Sequence, residues 1–145
     1  MLEIQSNNPK LTIEEIEKFE QNNAITLPSE YKSFLLKYNG GYPMQSNFYI
    51  HGSNGDFESI LNIFYGIGDM YDNLQKNIDF LDELFEVGFI PIADDPGGNQ
   101  ICICISEKNF GEIRFWEHEL GNENELDNLL FVSKSFSVFI DSLFD

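Results

Sequence analysis

At 145 residues, 42% of them hydrophobic and fourteen of them phenylalanine, the chain has material for one ordinary core and is not a disordered polymer. Its 25 acidic residues against 8 basic ones leave a formal net charge of −17, which repels phosphate backbones and anionic lipid and so excludes nucleic acid and membrane partners. That charge suits a basic protein partner, and it also keeps an aromatic-rich protein soluble.

In chain order, Thr12 with Glu15 forms a capping box for a first helix, and Leu11 and Ile16 fit the N′ and N4 positions of a hydrophobic staple. Ile13, Ile16 and Phe19 supply its apolar stripe. A second helix opens with Pro28 in its first turn, where a missing N–H costs nothing, and carries Tyr31, Phe34, Leu35 and Tyr38 at helical spacing. Gly40 is its expected C′ residue. Two short strands, Phe48–Ile50 and Ile60–Tyr65, flank a turn at Gly52–Asp56. Asp69 is the expected cap of a third helix bearing Tyr71, Leu74, Ile78 and Leu81. Phe89–Asp94 and Gln100–Ile105 form a hairpin around Pro96–Asn99, and Glu112–Glu117 follows as a strand. An acidic loop to Asn128 leads to Leu129–Val132, expected as a short edge strand. Ser133 then caps a last helix whose inner face is Phe136, Phe139, Ile140 and Leu143. The fold class is α+β: one domain over residues 1–145, with a central antiparallel sheet of about five or six strands and flanking helices.

Few of the chemistry-bearing residues form a coherent set. Residues 100–105 are apolar on both faces, so that strand should be central, and its Cys102/Cys104 face should lie under a closely approaching helix or loop. A zinc site from these cysteines with His51 and His118 lacks the usual ligand-loop spacing, so no metal is expected. The Asp94–Asn99 segment could be a cation or phosphate loop, but it leads into a strand and carries no lysine; a hairpin turn explains its glycines and asparagine. In the 112–118 strand, Ile113 and Phe115 share one face while Arg114, Trp116 and His118 share the other. Trp116 is therefore either packed beneath a neighbour or an anchor for a partner. His118 between Glu117 and Glu119 has no nucleophile or orienting group beside it. The opening residues lack a basic segment followed by an apolar run, no stretch reaches membrane-spanning length, and Cys102 and Cys104 cannot make a disulfide framework. A cytoplasmic location is expected.

Leu27, Pro28, Tyr31, Phe34 and Leu35, then Asn39-Gly40-Gly41, then Ile90-Pro91-Ile92-Ala93, recur with a definite order and spacing. Asp95, Gly98 and Asn99 follow, then Phe115-Trp116-Glu117-His118-Glu119 and the C-terminal Ser135-Phe136-x-x-Phe139-Ile140. Together these resemble the SUKH superfamily, the Smi/Knr-type domain best known among bacterial immunity proteins. The resemblance implies a non-enzymatic, cofactor-free protein that binds and neutralises a cognate toxin, often a nuclease. Its alternative implication is an intracellular regulator or scaffold, similar to the cell-wall glucan synthesis regulators, with no toxin partner. The expected partner surface combines Asp94, Asp95, Glu117, Glu119, Glu123 and Glu125 with aromatic anchors at Trp116 and Tyr42. Exposed sheet edges permit a homodimer, although no residue pattern demands one. An enzyme built on Asp94, Asp95 and His118 would need those side chains to converge in a pocket.

Overall fold

The capping box forms as the sequence requires. Thr12 Oγ1 accepts from the Glu15 amide (3.2 Å), and the Glu15 carboxylate accepts from the Thr12 amide (2.9 Å), opening α1 (Ile13–Asn23). Ile16 and Phe19 turn inward; Ile13, expected beside them, is exposed. In α2 (Ser29–Tyr38), Pro28 is the N-cap rather than a first-turn residue, and Tyr31, Phe34 and Leu35 are buried. The helix ends on Asn39 in the left-handed conformation (φ 49°), one residue before the expected Gly40, and Gly40 continues at φ 83°. A Cβ on Gly40 would lie 2.7 Å from the Phe64 carbonyl oxygen, so this turn needs glycine for space as well as for conformation.

The computed structural model describes residues 3–52, 55–118 and 128–145. β1 (Ile4–Gln5) and β2 (Tyr42–Pro43) form a two-stranded antiparallel pair. The main sheet comprises β3 (Asn47–Gly52), β4 (Gly55–Ile60), β5 (Ile63–Phe64), β6 (Phe89–Asp94), β7 (Gln100–Cys104), β8 (Ile113–Trp116) and β9 (Leu129–Ser133). Its order is β4-β3-β9-β8-β7-β6-β5, antiparallel throughout. Seven strands replace the expected five or six because the Ile60–Tyr65 stretch divides. Ile60 ends β4, the hairpin partner of β3, while Ile63–Phe64 pairs with β6 at the other margin. β9 is not an edge strand: it pairs with β3 through His51↔Phe131 and with β8 along its length.

Connectivity dictates the shape of this sheet. β4 and β5 occupy opposite margins, yet only Leu61 and Asn62 lie between them. Three Cα steps reach at most about 11 Å, whereas six interstrand spacings of about 4.8 Å would separate the margins of a flat sheet by roughly 29 Å. The sheet must curl back on itself. Its inner face holds the main core, where Phe48, Ile50, Ile101, Ile103, Ile113 and Phe115 meet Ile16, Phe34 and Phe139 from the helices.

A smaller cluster covers part of the outer face. Leu81 and Leu84 pack with Phe89, Cys102, Cys104 and Leu129. β7 is accordingly buried along its whole length, as a strand apolar on both faces requires, and of the helix or loop expected over the cysteine face it is a helical segment that covers it. That segment is α3 (Leu74–Phe80) followed by α4 (Asp82–Glu86). The cap of α3 is Asn73, whose Oδ1 accepts from the Lys76 amide at 2.7 Å; Asp69 and Tyr71 lie before the helix, and Tyr71 is 83% exposed. Likewise Ser135, not Ser133, caps α5 (Phe136–Ser142), its hydroxyl accepting from the Val138 amide at 3.2 Å. Phe136 and Phe139 are buried as expected, with Ile140 and Leu143 half-buried against the core.

Candidate functional site: an acidic rim at one end of the sheet

The β6–β7 turn is built by one carboxylate. Asp95 Oδ1 accepts from the amides of Gly97 (2.9 Å) and Asn99 (2.8 Å), and its Oδ2 accepts from Asn99 Nδ2 (2.9 Å). Asp95 is buried, so this side chain shapes the rim from within. The end of β8 closes onto the same turn: the His118 amide donates to Asn99 Oδ1 (3.1 Å), and His118 Nε2 lies 3.0 Å from the Gly97 carbonyl oxygen. The His118 ring is thereby engaged with backbone while remaining exposed to solvent.

Strand register aligns the remaining residues. Ile63↔Asp94, Asp94↔Gln100, Gln100↔Trp116 and Trp116↔Leu129 form one row across five strands. Beyond Ile63, the antiparallel Gly41↔Phe64 bridge brings Tyr42 alongside, and Tyr42 and Ile63 line an open cleft of about 700 Å³ that also includes Met70, Tyr71 and Asp72. At roughly 4.8 Å per strand, Asp94 stands about 10 Å from Trp116 and about 10 Å from Tyr42. Two aromatics thus flank a carboxylate along one edge of the molecule. Trp116 is half-buried against the outer cluster, with Glu117 half-buried beside it, while Tyr42 is 52% exposed. Glu119, Glu123 and Glu125 lie outside the described residues.

Asp94 is held above the usual carboxylate range, first by burial and also by Asp72 and Asp95, partly offset by the bond it accepts from Asn62 Nδ2 at 3.1 Å. Behind it, the buried Tyr65 hydroxyl donates to Gln100 Oε1 at 2.6 Å, and burial raises that phenol further above its ordinary value. Asp72 and Tyr71 are the rim residues the sequence reading missed. Their signal was Asn73, a strong cap directly before Leu74, which places both outside the helix.

Cys102 and Cys104 pack as small buried hydrophobes, and burial raises the Cys102 thiol above its ordinary value. Among the described residues, no group of three or more His, Cys, Asp or Glu side chains could hold a metal ion, and no helix is long and apolar enough to cross a membrane. Charge is unevenly distributed: between Tyr38 and Glu107, a stretch that includes β2 to β7, Lys76 is the one lysine or arginine.

The model of the SMI1 / KNR4 family (SUKH-1) matches residues 10–142. The SPbeta prophage-derived uncharacterized protein YokK of Bacillus subtilis (strain 168) is 34% identical over 151 residues, a match covering 92% of this chain and 75% of that protein. No solved structure gives a significant match.

Proposed function

Because the chain belongs to the SMI1/KNR4 (SUKH-1) family, we propose that it is a non-enzymatic binding module that neutralises a cognate toxin with a basic surface by stoichiometric association. One observation carries the reading. The rim aligns a partly desolvated carboxylate, Asp94, with two aromatic flanks, Tyr42 and Trp116, and Asp94 and Tyr42 lie in the stretch between Tyr38 and Glu107 whose one lysine or arginine is Lys76. An acidic surface of this kind covers cationic residues with which a toxin would grip its own substrate, and half-desolvated aromatics supply anchoring area. The groups weighed for catalysis have other duties: Asp95 fixes the turn, and His118 Nε2 meets the Gly97 carbonyl.

The test is co-expression with the product of the adjacent gene, scoring growth and co-purification. Rescue by the intact protein, lost when Asp94 and Trp116 are replaced by Lys and Ala, supports the reading. Toxicity that the folded protein does not relieve would remove the immunity role and leave regulation through protein contacts.

A further inference from the structure

The two margins of the main sheet are treated differently. At one, the Gly41 amide donates to the Phe64 carbonyl (3.0 Å) and the Phe64 amide donates to the Gly41 carbonyl (2.9 Å), so the segment leading into β2 closes off β5. At the other margin β4 pairs with β3 and, among the described residues, with no further strand. Five of its six residues are exposed, with Phe57 at 42% and Ile60 at 49%.

The ladder shows which backbone groups face outward. Asn47 exchanges both of its backbone bonds with Phe144, so its amide and carbonyl point away from β4, and Asn47↔Ile60 is a non-hydrogen-bonded pair. Antiparallel pairs alternate, which makes Tyr49↔Glu58 and His51↔Asp56 non-hydrogen-bonded as well. The amides and carbonyls of Asp56, Glu58 and Ile60 therefore project from this margin, where no described residue pairs with them. The side chains of Asp56 and Glu58 share the outer face of the sheet with Tyr49 and His51, and Asp56 Oδ1 lies 2.9 Å from His51 Nδ1. Phe57, opposite the buried Ile50, lies on the inner face.

We propose that β4 receives an extended, lysine- or arginine-bearing segment of a protein partner as an eighth strand of the sheet. The register defines the occupant. Residues placed directly opposite Asp56 and Glu58 share their face, so alternate cations meet carboxylates, and the residue between them meets Phe57 and should be apolar. A second copy of this chain fits less well, because antiparallel pairing of two β4 strands centred on Phe57 or Glu58 sets carboxylates against carboxylates, and each copy carries a net charge of −17. The inference rests on the reading that the protein binds a cationic macromolecule, and it adds where an extended part of that partner lies.

The probe is a blocked seven-residue peptide alternating lysine and valine, with a glutamate–valine counterpart as control. The readout is residue-resolved amide hydrogen exchange of the full chain by NMR. The lysine peptide is expected to slow exchange at Asp56, Glu58 and Ile60 at least tenfold, and the glutamate peptide to leave it unchanged. Glu58→Pro removes an outward N–H that the native ladder does not use, so folding should persist while protection at Asp56 and Ile60 is lost. Glu58→Lys keeps the backbone and should weaken the lysine peptide at least tenfold. Unslowed amides at saturating lysine peptide, equal protection by both peptides, or protection that survives Glu58→Pro would each overturn the proposal. So would protection that grows with protein concentration alone, which would assign the margin to self-association. A Glu58→Pro variant that still rescues growth as well as the parent would remove the β4 route and leave the immunity reading standing. Failure of the parent to rescue, with peptide protection intact, would do the reverse.

Discussion

Asn39 shows how much one side chain can hold. It is buried, its Nδ2 donates to the carbonyls of Pro9 (2.8 Å) and Ile67 (3.1 Å), and its Oδ1 accepts from the Ile67 amide (2.8 Å). Its own carbonyl accepts from Asn8 Nδ2 (2.8 Å), so three separated segments meet at one left-handed residue. Asn39→Ala should therefore cost at least about 2 kcal/mol, read by urea denaturation, because it strands buried backbone groups. Tyr31 is the opposite case: among the described residues, its buried hydroxyl has no hydrogen-bond partner. Tyr31→Phe should leave stability unchanged or raise it by about 1 kcal/mol in the same measurement. At Asp94 the raised pKa means that the native state keeps its proton to higher pH than the unfolded chain does, so its contribution to stability declines as pH rises through that interval. Asp94→Asn should raise the midpoint of thermal unfolding at pH 7 and lose that advantage below the ordinary carboxylate range. If Asp94 also meets the partner, the same substitution weakens binding while strengthening the fold. The asparagine–glycine motif and the core aromatics were visible in the sequence because local geometry demands those residue types. The roles of Asn39 and Asp95 were hidden, since both depend on backbone groups brought in by the fold.

At the scale of elements, caps decided where expectation and structure agreed. Thr12 was unambiguous because Glu15 completes its box. Around α5 two serines compete, and Ser135 prevails because Ser133 still belongs to β9, where its hydroxyl donates to the Ser135 carbonyl at 3.1 Å. Ser135→Ala should destabilise by about 1 kcal/mol, with Phe136 and Phe139 losing order first, measurable by near-ultraviolet circular dichroism and denaturation. Residues Ile60–Tyr65 carry strand-forming side chains apart from Asn62, but a strand cannot serve both margins of a seven-stranded sheet, so the run breaks at Leu61 and Asn62. Asn62, disfavoured in strands, is the local mark of that break, but it does not say which margin each half joins. The interior place of β9 was equally illegible, because its pairing with β3 joins residues far apart in the chain.

For the whole molecule, a net charge of −17 predicts association governed by ionic strength. Binding to a cationic partner should slow by roughly tenfold between low and physiological salt, with dissociation changing less, as stopped-flow or surface-based kinetics would show. The neighbour relations within the sheet carry a consequence for folding. β5 to β9 follow one another across the sheet and β3 with β4 is a hairpin; that hairpin joins the remainder through distant partners, His51 with Phe131 and Asn47 with Phe144. That hairpin is then the piece expected to join the sheet last during folding. Phe48 and Ile50 then anchor the late arrival in the main core, so its release and the opening of that core are one event.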